Sequence, residues 1–185
     1  MYNSDNMIEV EVKAKINNFN EIKDKLKNIG AKKTKTEFQK DIYFNSPIVD
    51  FSKTDEALRI RKTESDDLTH TMITYKGPKI NSESKTRKEI EMLIESDEKA
   101  KEIFENIGFK EVRAVKKNRE YYEYEDFEIS LDDVEGLPPY MEIEISLPDN
   151  EDYKDAQDRI FDLFERIGIV DGFETTSYLE LLELQ

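Results

Sequence analysis

Glutamate and lysine residues alternate with apolar residues in the segment MIEVEVKAKI, residues 7–16. The even positions are apolar, and the charged residues Glu9, Glu11, Lys13 and Lys15 fall at odd positions. Since successive side chains of a strand point to opposite faces, this pattern predicts a strand with one apolar face and one ionised face. Carboxylates bind divalent cations and amines bind phosphate oxygens, so the ionised face carries groups suited to phosphate chemistry.

The same alternation recurs in later segments that are predicted to be strands, such as ALRIR and MEIEI. Collected by parity, the basic members are Lys13, Arg59, Arg61, Lys76, Arg87, Lys117 and Arg119, and the acidic members are Glu9, Glu11, Glu89, Glu91, Asp132, Glu142 and Glu144. An antiparallel sheet with one solvated face also alternates, but its wet face usually mixes Thr, Ser, Gln and Lys. Faces that are almost wholly ionised, in both signs, favour a functional role.

About eight such strands can close into an antiparallel β-barrel whose charged faces line the interior, with helices packed on the apolar outside. Helices are predicted at 19–29, 97–107 and 151–167, each followed by a glycine that suits a helix end. We therefore expect an α+β fold in one domain, residues 1–185. The similar segments NIGAKKTKTEFQKDIYF and NIGFKEVRAVKKNREYY indicate two related halves, about 1–95 and 96–185. Residues 46–55 are predicted to form a loop.

Composition excludes several classes of protein. The net charge of −15 would repel a nucleic-acid backbone, and no apolar run is long enough to cross a bilayer. With no cysteine and a single histidine, His70, a zinc site is not expected. We expect a cytoplasmic protein that binds neither nucleic acid nor membrane. Whether it forms a homodimer is left open.

An enclosed, charged interior is costly unless the charges are paired or bound by an ionic ligand. Guanidinium and ammonium groups suit the oxygens of a polyphosphate. Carboxylates in the same space would repel that ligand unless a divalent cation lay between them, and Mg²⁺ is usually held by carboxylates together with substrate phosphates. The sequence therefore predicts a small-molecule triphosphate ligand with a divalent cation.

The motif Glu9-x-Glu11-x-Lys13 resembles the ExExK signature of the CYTH superfamily, the triphosphate tunnel metalloenzymes. This superfamily includes class IV adenylyl cyclases and thiamine triphosphatases. Further matching segments follow in order along nearly the whole chain: QKDIYFN, ALRIR, YKGP, TRKEIE, VKKNREYY, LDDVEGL, MEIE and SYLELL. A lone ExExK would be weak evidence, whereas this ordered set is specific. The chain is most similar to the class IV cyclase branch.

The resemblance implies an eight-stranded antiparallel tunnel that binds a triphosphate and Mg²⁺ or Mn²⁺. It implies metal binding by Glu9, Glu11 and Glu144, with Glu142 nearby and Asp132 as a further acid. Triphosphate binding is implied for Lys13, Arg59, Arg61, Lys76, Arg87, Lys117 and Arg119, and the residues with catalytic roles would be Lys13, Lys76, Arg119 and Asp132. Glu89 and Glu91 would support basic neighbours or a second ion. Ser177 and Tyr178 would close one end of the tunnel, or alternatively begin a capped helix.

One departure from the cyclase pattern occurs in LDDVEGLPPYMEIE, where Pro138 replaces a glycine and Pro139 adds a second rigid residue. It leaves the implied metal ligands intact and puts movement of that loop in question. Three functions remain open at this point. The protein could convert ATP to cyclic AMP and pyrophosphate; it could hydrolyse inorganic triphosphate, thiamine triphosphate or a nucleoside triphosphate; or it could bind such ligands without turnover.

Overall fold

The computed structural model describes residues 7–66, 68–79, 87–148 and 153–184. Its elements in chain order are β1 (Met7–Lys15), α1 (Phe19–Ile29), β2 (Lys32–Asn45), α2 (Phe51–Thr54), β3 (Ala57–Glu64), β4 (Thr69–Lys76), β5 (Arg87–Ile94), α3 (Asp97–Asn106), β6 (Lys110–Tyr124), β7 (Phe127–Val134), β8 (Tyr140–Pro148), α4 (Tyr153–Arg166), β9 (Phe173–Glu174) and α5 (Tyr178–Glu183). In this part of the chain, no helix is both long and apolar enough to cross a membrane.

Strands β1 to β8 form one closed antiparallel barrel, in the order β5-β4-β3-β2-β6-β7-β8-β1. The barrel closes because β1 pairs with β8 along its whole length and also with β5, where Glu9 lies opposite Arg87. The short strand β9 adds to β1 opposite Lys13 and Ala14. This arrangement confirms the predicted fold class, an eight-stranded antiparallel barrel with helices outside. Nothing in it tests the prediction of two related halves.

Local sequence signals account for the helix ends. The Asn18 side chain accepts a hydrogen bond from the Asn20 amide and begins α1, and Gly30 ends it at a φ of 90°. The predicted loop at 46–55 is partly wrong, because it contains the single turn of α2. The Asp50 side chain caps this turn by accepting a hydrogen bond from the Ser52 amide. Such a local bond can form where the sequence has no helical pattern of apolar residues.

The hydrophobic core lies between the barrel wall and the helices, outside the barrel. Apolar side chains of β1, β7 and β8, such as Val10, Ile129 and Ile143, are fully buried against residues of α1 and α4, such as Leu26 and Phe164. A second cluster packs α3 against β2 and β3 outside the barrel. A smaller third cluster packs α5 against Val115, Val134 and Tyr140, on the inward face that also carries Lys117, Asp132 and Glu142. Because successive side chains of a strand alternate, packing the apolar side outward turns the charged side inward.

Truncation of Ile143 tests the position of this core. The side chain is fully buried beneath the outer helices, so Ile143→Ala should lower the free energy of unfolding by about 2–5 kcal/mol. The matched control Ile48→Ala removes the same atoms from a side chain that is 91% exposed and should change it by less than about 0.5 kcal/mol. Urea denaturation measures both, and equal effects would contradict a core outside the barrel.

Candidate active site

The barrel encloses a cavity of about 480 Å³, lined by side chains from every one of its strands. The lining includes all the charged residues selected by parity except Lys13 and Asp132: Arg59, Arg61, Lys76, Arg87, Lys117 and Arg119 among the basic residues, and Glu9, Glu11, Glu89, Glu91, Glu142 and Glu144 among the acidic ones. Side chains of both signs therefore share one enclosed space, as the alternation predicts.

Arg59 and Arg61 are held by one buried carboxylate. Arg61 donates two hydrogen bonds to the oxygens of Asp41, at 2.6 and 2.7 Å, and a terminal nitrogen of Arg59 lies 3.6 Å from the same group. Burial by itself raises the pKa of Asp41, but the attraction of Arg61 and Arg59 outweighs it and holds that pKa well below its ordinary value. Asp41 is thus a permanent anion that orients two guanidinium groups.

Arg59 has one buried hydrogen-bond donor that pairs with no acceptor among the described residues. Its other terminal nitrogen donates to the Thr74 hydroxyl at 3.2 Å, whereas its Nε is buried and has no hydrogen-bond partner within the described part of the chain. Buried N–H groups are nearly always paired, so this donor suits an acceptor supplied by a ligand, such as a phosphate oxygen.

Lys117 and Arg119 lie on β6 around Asp132. Arg119 donates from Nε to Asp132 at 2.6 Å and from a terminal nitrogen to both Asp132 and Glu142. The Lys117 amine lies 3.4 Å from Asp132. Burial and then the positive charges of Arg119 and Arg61 lower the pKa of Lys117 to about 7. This amine is therefore poised between its charged and neutral forms near neutral pH.

Lys76 and Arg87 occupy the β4–β5 side of the cavity. Lys76 donates a hydrogen bond to Glu89. Arg87 donates to the carbonyl oxygens of Gly77 and Asp55, at 3.0 and 3.3 Å. Glu91 accepts from the Thr74 hydroxyl at 2.9 Å.

Carboxylates face one another across three neighbouring strands. Glu11 on β1 lies directly opposite Glu144 on β8, which lies directly opposite Glu128 on β7. Together with Glu9, these residues form what we call the acidic wall. Burial and the charges of Glu9 and Glu11 raise the pKa of Glu144 well above its ordinary value, and burial and Glu89 raise that of Glu9 to about 7. Like charges directly opposite each other destabilise a sheet unless a cation or a proton lies between them.

The acidic wall fits a divalent cation by its chemistry, because its donors are carboxylate oxygens gathered on neighbouring strands. Within the described residues, no three His, Cys, Asp or Glu side chains converge on one point as a finished metal site. Glu9, Glu11, Glu144 and Glu128 would therefore have to turn toward a bound ion. Glu142 and Asp132, also implied as metal ligands, are both engaged with Arg119. Metal binding by any of these residues stays a prediction.

Lys13 and Asp132 lie behind the cavity lining, under α5. Lys13 is fully buried, and its Nζ donates to the Thr176 carbonyl at 2.5 Å and lies 4.1 Å from the centre of the Tyr178 ring. The Tyr178 hydroxyl donates to Asp132 at 2.6 Å. Ser177 caps α5 through a capping box, and both Ser177 and Tyr178 line the cavity. Ser177 and Tyr178 therefore both begin a capped helix and lie beside the cavity. A movement of these residues that closes the tunnel stays a prediction.

Sequence reasoning missed two carboxylates of the barrel strands that line the cavity, and the apolar part of the lining. Asp41 lies on the same face of its strand as Tyr43 in QKDIYF, and Glu128 lies on the same face as Asp132 in FEISLD. The alternation of side chains could therefore have identified both carboxylates. Part of the cavity lining is apolar and comes from elements that are distant in sequence: Phe44, Phe51, Val112 and Leu179. No local pattern marks them, because only the fold brings α2, β6 and α5 together.

Comparison with known proteins identifies the family. The model of the CYTH domain matches residues 7–178. The chain belongs to the CYTH family. A Methanocaldococcus jannaschii protein, named provisionally as an adenylate cyclase, is 47% identical over 176 residues, which cover 95% of this chain and 98% of that protein. A solved Pyrococcus horikoshii protein structure has a TM-score of 0.89 and 42% identity, and the match covers 95% of this chain and 98% of that one.

A Hippeastrum protein, named provisionally as an adenylyl cyclase and described as having a dominant triphosphatase activity, shares the fold. Its structure matches with a TM-score of 0.64 and 17% identity, covering 96% of this CYTH chain and 95% of its own. The likeness at this identity is one of fold.

Replacement of Glu9 by Gln should change how stability depends on pH. Folding raises the pKa of Glu9 from 4.5 to about 7, so as the pH rises the unfolded chain releases this proton before the folded protein does. The folded state therefore loses stability across this range. The unfolding free energy of metal-free wild type, minus that of Glu9→Gln, should fall as pH rises, as urea titrations would measure. A difference that stays constant with pH would contradict the crowding of carboxylates.

Proposed function

We propose that this CYTH protein is a divalent-metal-dependent enzyme that binds a nucleoside triphosphate in its barrel and converts ATP to cyclic AMP and pyrophosphate. The observation that carries the proposal is the division of the cavity into two regions. The acidic wall lies on the contiguous strands β7, β8 and β1, and the basic side chains Arg59, Arg61, Lys76, Lys117 and Arg119, which we call the basic cluster, lie on β3, β4 and β6.

The basic cluster supplies the donors that a triphosphate needs. Guanidinium groups present five N–H donors in a planar fork that matches phosphate oxygens. In Arg61 the fork is already oriented by Asp41, and in Arg59 a buried donor is left for a ligand. Preorganised donors of this kind stabilise charge that develops in a transition state without having to move at that moment.

Cyclisation requires alignment and charge neutralisation more than covalent participation by the protein. The 3′ hydroxyl of the ribose gives its proton to solvent, its oxygen forms a bond to the α-phosphorus, and the bond from that phosphorus to the bridging oxygen of the leaving pyrophosphate breaks. Lys76 and Arg119 are placed to neutralise the phosphates as charge moves onto the pyrophosphate. A divalent cation held by Glu9, Glu11 and Glu144 would supply positive charge to the phosphates and lower the pKa of the hydroxyl.

The apolar part of the cavity lining favours a nucleoside triphosphate over a bare triphosphate. A cavity of about 480 Å³ falls within the range of roughly 300–1,000 Å³ that is typical of sites for organic ligands. Phe51 of α2 and Leu179 of α5 offer apolar contacts in the cavity lining, against which a base could lie while the phosphates bind the basic cluster. The M. jannaschii relative, named provisionally as an adenylate cyclase, supports the same direction.

Hydrolysis of a triphosphate is the second candidate. The basic cluster and the acidic wall would serve inorganic triphosphate or thiamine triphosphate equally well, because neither region depends on a nucleoside. Attack by water at the terminal phosphorus would then replace attack by the ribose hydroxyl. Binding without turnover is the third candidate, and it uses the same contacts.

Product separation distinguishes these candidates. The protein is incubated with ATP, inorganic triphosphate and thiamine triphosphate in parallel, with Mg²⁺ and with Mn²⁺, and the products are separated by ion-exchange chromatography. The cyclase proposal predicts cyclic AMP and pyrophosphate in equal amounts from ATP. Orthophosphate as the main product would select hydrolysis. Retention of the ligands with no product would leave a binding module.

Glu11→Gln should abolish turnover while the protein remains folded. The substitution removes one charge from the acidic wall with almost no change in volume, so a divalent cation would be held less well. The matched control Glu165→Gln changes an exposed side chain of α4, outside the barrel, and should keep full activity. Product formation and thermal melting measure the two effects. Unchanged turnover in Glu11→Gln would refute the assignment of Glu11 to metal binding.

A further inference from the structure

Tyr178 is the first residue of α5, and its side chain contacts charged groups of three barrel strands. It is buried and forms part of the cavity lining. Its hydroxyl contacts Asp132 of β7, and its ring lies near the amines of Lys13 on β1 and Lys117 on β6. The family resemblance implies that Tyr178 closes one end of the tunnel, whereas these contacts indicate a task in arranging the charges inside it.

The hydroxyl of Tyr178 takes part in holding a buried carboxylate. It donates to Oδ2 of Asp132 at 2.6 Å. The same oxygen accepts a hydrogen bond from a terminal nitrogen of Arg119 and lies 3.4 Å from the Lys117 amine. Asp132 is fully buried, so the donors around it decide how its carboxylate is turned. A hydroxyl adds such a donor without adding a charge, and hydrogen bonds to a carboxylate are among the stronger ones.

The ring of Tyr178 lies close to two ammonium groups. The Lys13 amine is 4.1 Å and the Lys117 amine 5.1 Å from the ring centre, within the roughly 6 Å over which a cation is attracted to an aromatic face. The Tyr140 ring packs against that of Tyr178, with the two centres 5.5 Å apart. An aromatic face attracts an amine without neutralising its charge. The ring therefore does not compete with phosphate binding by either lysine.

The position of Tyr178 is set by interactions that are independent of these charges. Ser177 Oγ accepts from the Glu180 amide at 3.2 Å, and the Glu180 carboxylate accepts from the Ser177 amide at 2.7 Å, which together form the capping box of α5. Leu182, one turn after Tyr178, is buried in the apolar cluster with Val115 and Val134. Helix capping and apolar packing thus give the Tyr178 side chain a fixed origin from which it can orient its neighbours.

We propose that Tyr178 is a positioning residue: its hydroxyl holds Asp132 beside Arg119, and its ring holds the amines of Lys13 and Lys117 in place for phosphate binding. The positioning does not depend on which reaction the barrel carries out, whereas its effect on turnover rests on the proposed function. Two assignments compete with it. Tyr178 could contribute apolar packing alone, or its hydroxyl could contact the ligand directly.

Proton exchange at Arg119 tests the role of the hydroxyl without any ligand. The Arg119 Nε–H donates to Asp132 at 2.6 Å, and its exchange with water can be followed by nuclear magnetic resonance. In Tyr178→Phe the ring remains, but opening of the Arg119–Asp132 pair no longer has to break the Tyr178 bond. Exchange should therefore be about tenfold faster or more, as expected for the loss of one hydrogen bond to a charged group.

Tyr122→Phe is the matched control for this experiment. It also removes the hydroxyl of a buried tyrosine that donates to a carboxylate, that of Glu120 at 3.0 Å, but Tyr122 packs in the core outside the barrel. Exchange at Arg119 should match the wild type in this variant. Equal exchange in Tyr178→Phe and the wild type would overturn the positioning of Asp132, and equal acceleration in both variants would show a general loss of stability instead.

Steady-state kinetics separate the hydroxyl from the ring. With whichever triphosphate proves to be the substrate, Tyr178→Phe should lower kcat by about tenfold and change KM by less than about twofold, because Arg119 acts on charge that develops in the transition state. Tyr178→Leu removes the ring as well, so it should lower kcat similarly and also raise KM by about threefold or more, roughly the effect of losing a cation–π contact. The phenylalanine variant thus restores KM but not kcat.

The other outcomes count against the proposal. A raised KM in Tyr178→Phe with unchanged exchange at Arg119 would show that the hydroxyl contacts the ligand directly. Identical kinetics in the two variants would remove the role of the ring, and wild-type kinetics in both would leave apolar packing alone. Should Tyr178→Leu fail to fold in thermal melting, Tyr178→Phe still decides the role of the hydroxyl. If no triphosphate is turned over, the proposed function fails, while the exchange measurement still tests whether Tyr178 positions Asp132.

Discussion

The central constraint on this structure is that ionised side chains of both signs lie in one enclosed space. Burying charges costs free energy unless they are paired. The interior meets part of this cost itself, since Asp41 pairs with Arg61, and Asp132 and Glu142 pair with Arg119. The stability must come from elsewhere, and the apolar core between the barrel wall and the outer helices provides it. The barrel thus separates the part that stabilises the fold from the part that carries chemistry.

Acidic and basic side chains are distributed unevenly around the barrel, and this distribution gives the site its polarity. The basic cluster is oriented by buried carboxylates, whereas Glu11, Glu144 and Glu128 meet other carboxylates across β1, β8 and β7. Burial, and then the charges of neighbouring carboxylates, raise the pKa of both Glu9 and Glu144. A ligand that combined an anion with divalent cations would relieve both regions at once, which explains how a chain with a net charge of −15 could accept a polyphosphate.

The segment that contains β9 and α5, residues 173–184, contacts both the first strand and the residues around the cavity. It contacts Lys13 of the first strand through Thr176 and Tyr178, and it reaches Asp132 through the Tyr178 hydroxyl. Ser177, Tyr178 and Leu179 of this segment also line part of the cavity. In this CYTH protein, residues far apart in sequence therefore share the task of shaping one cavity.

The sequence by itself determined which side of each strand is charged, because alternation with a period of two is a local property. That was enough to predict the closed barrel and to select most of the residues that line it, including Arg59, Arg61 and Glu144. Only the tertiary structure determined which residues these charged side chains contact. Asp41 meets Arg61 through the pairing of β2 with β3, and Lys13 is covered by a segment that lies 163 residues away along the chain. Parity says which way a side chain points, and only the packing of distant elements says what it meets there.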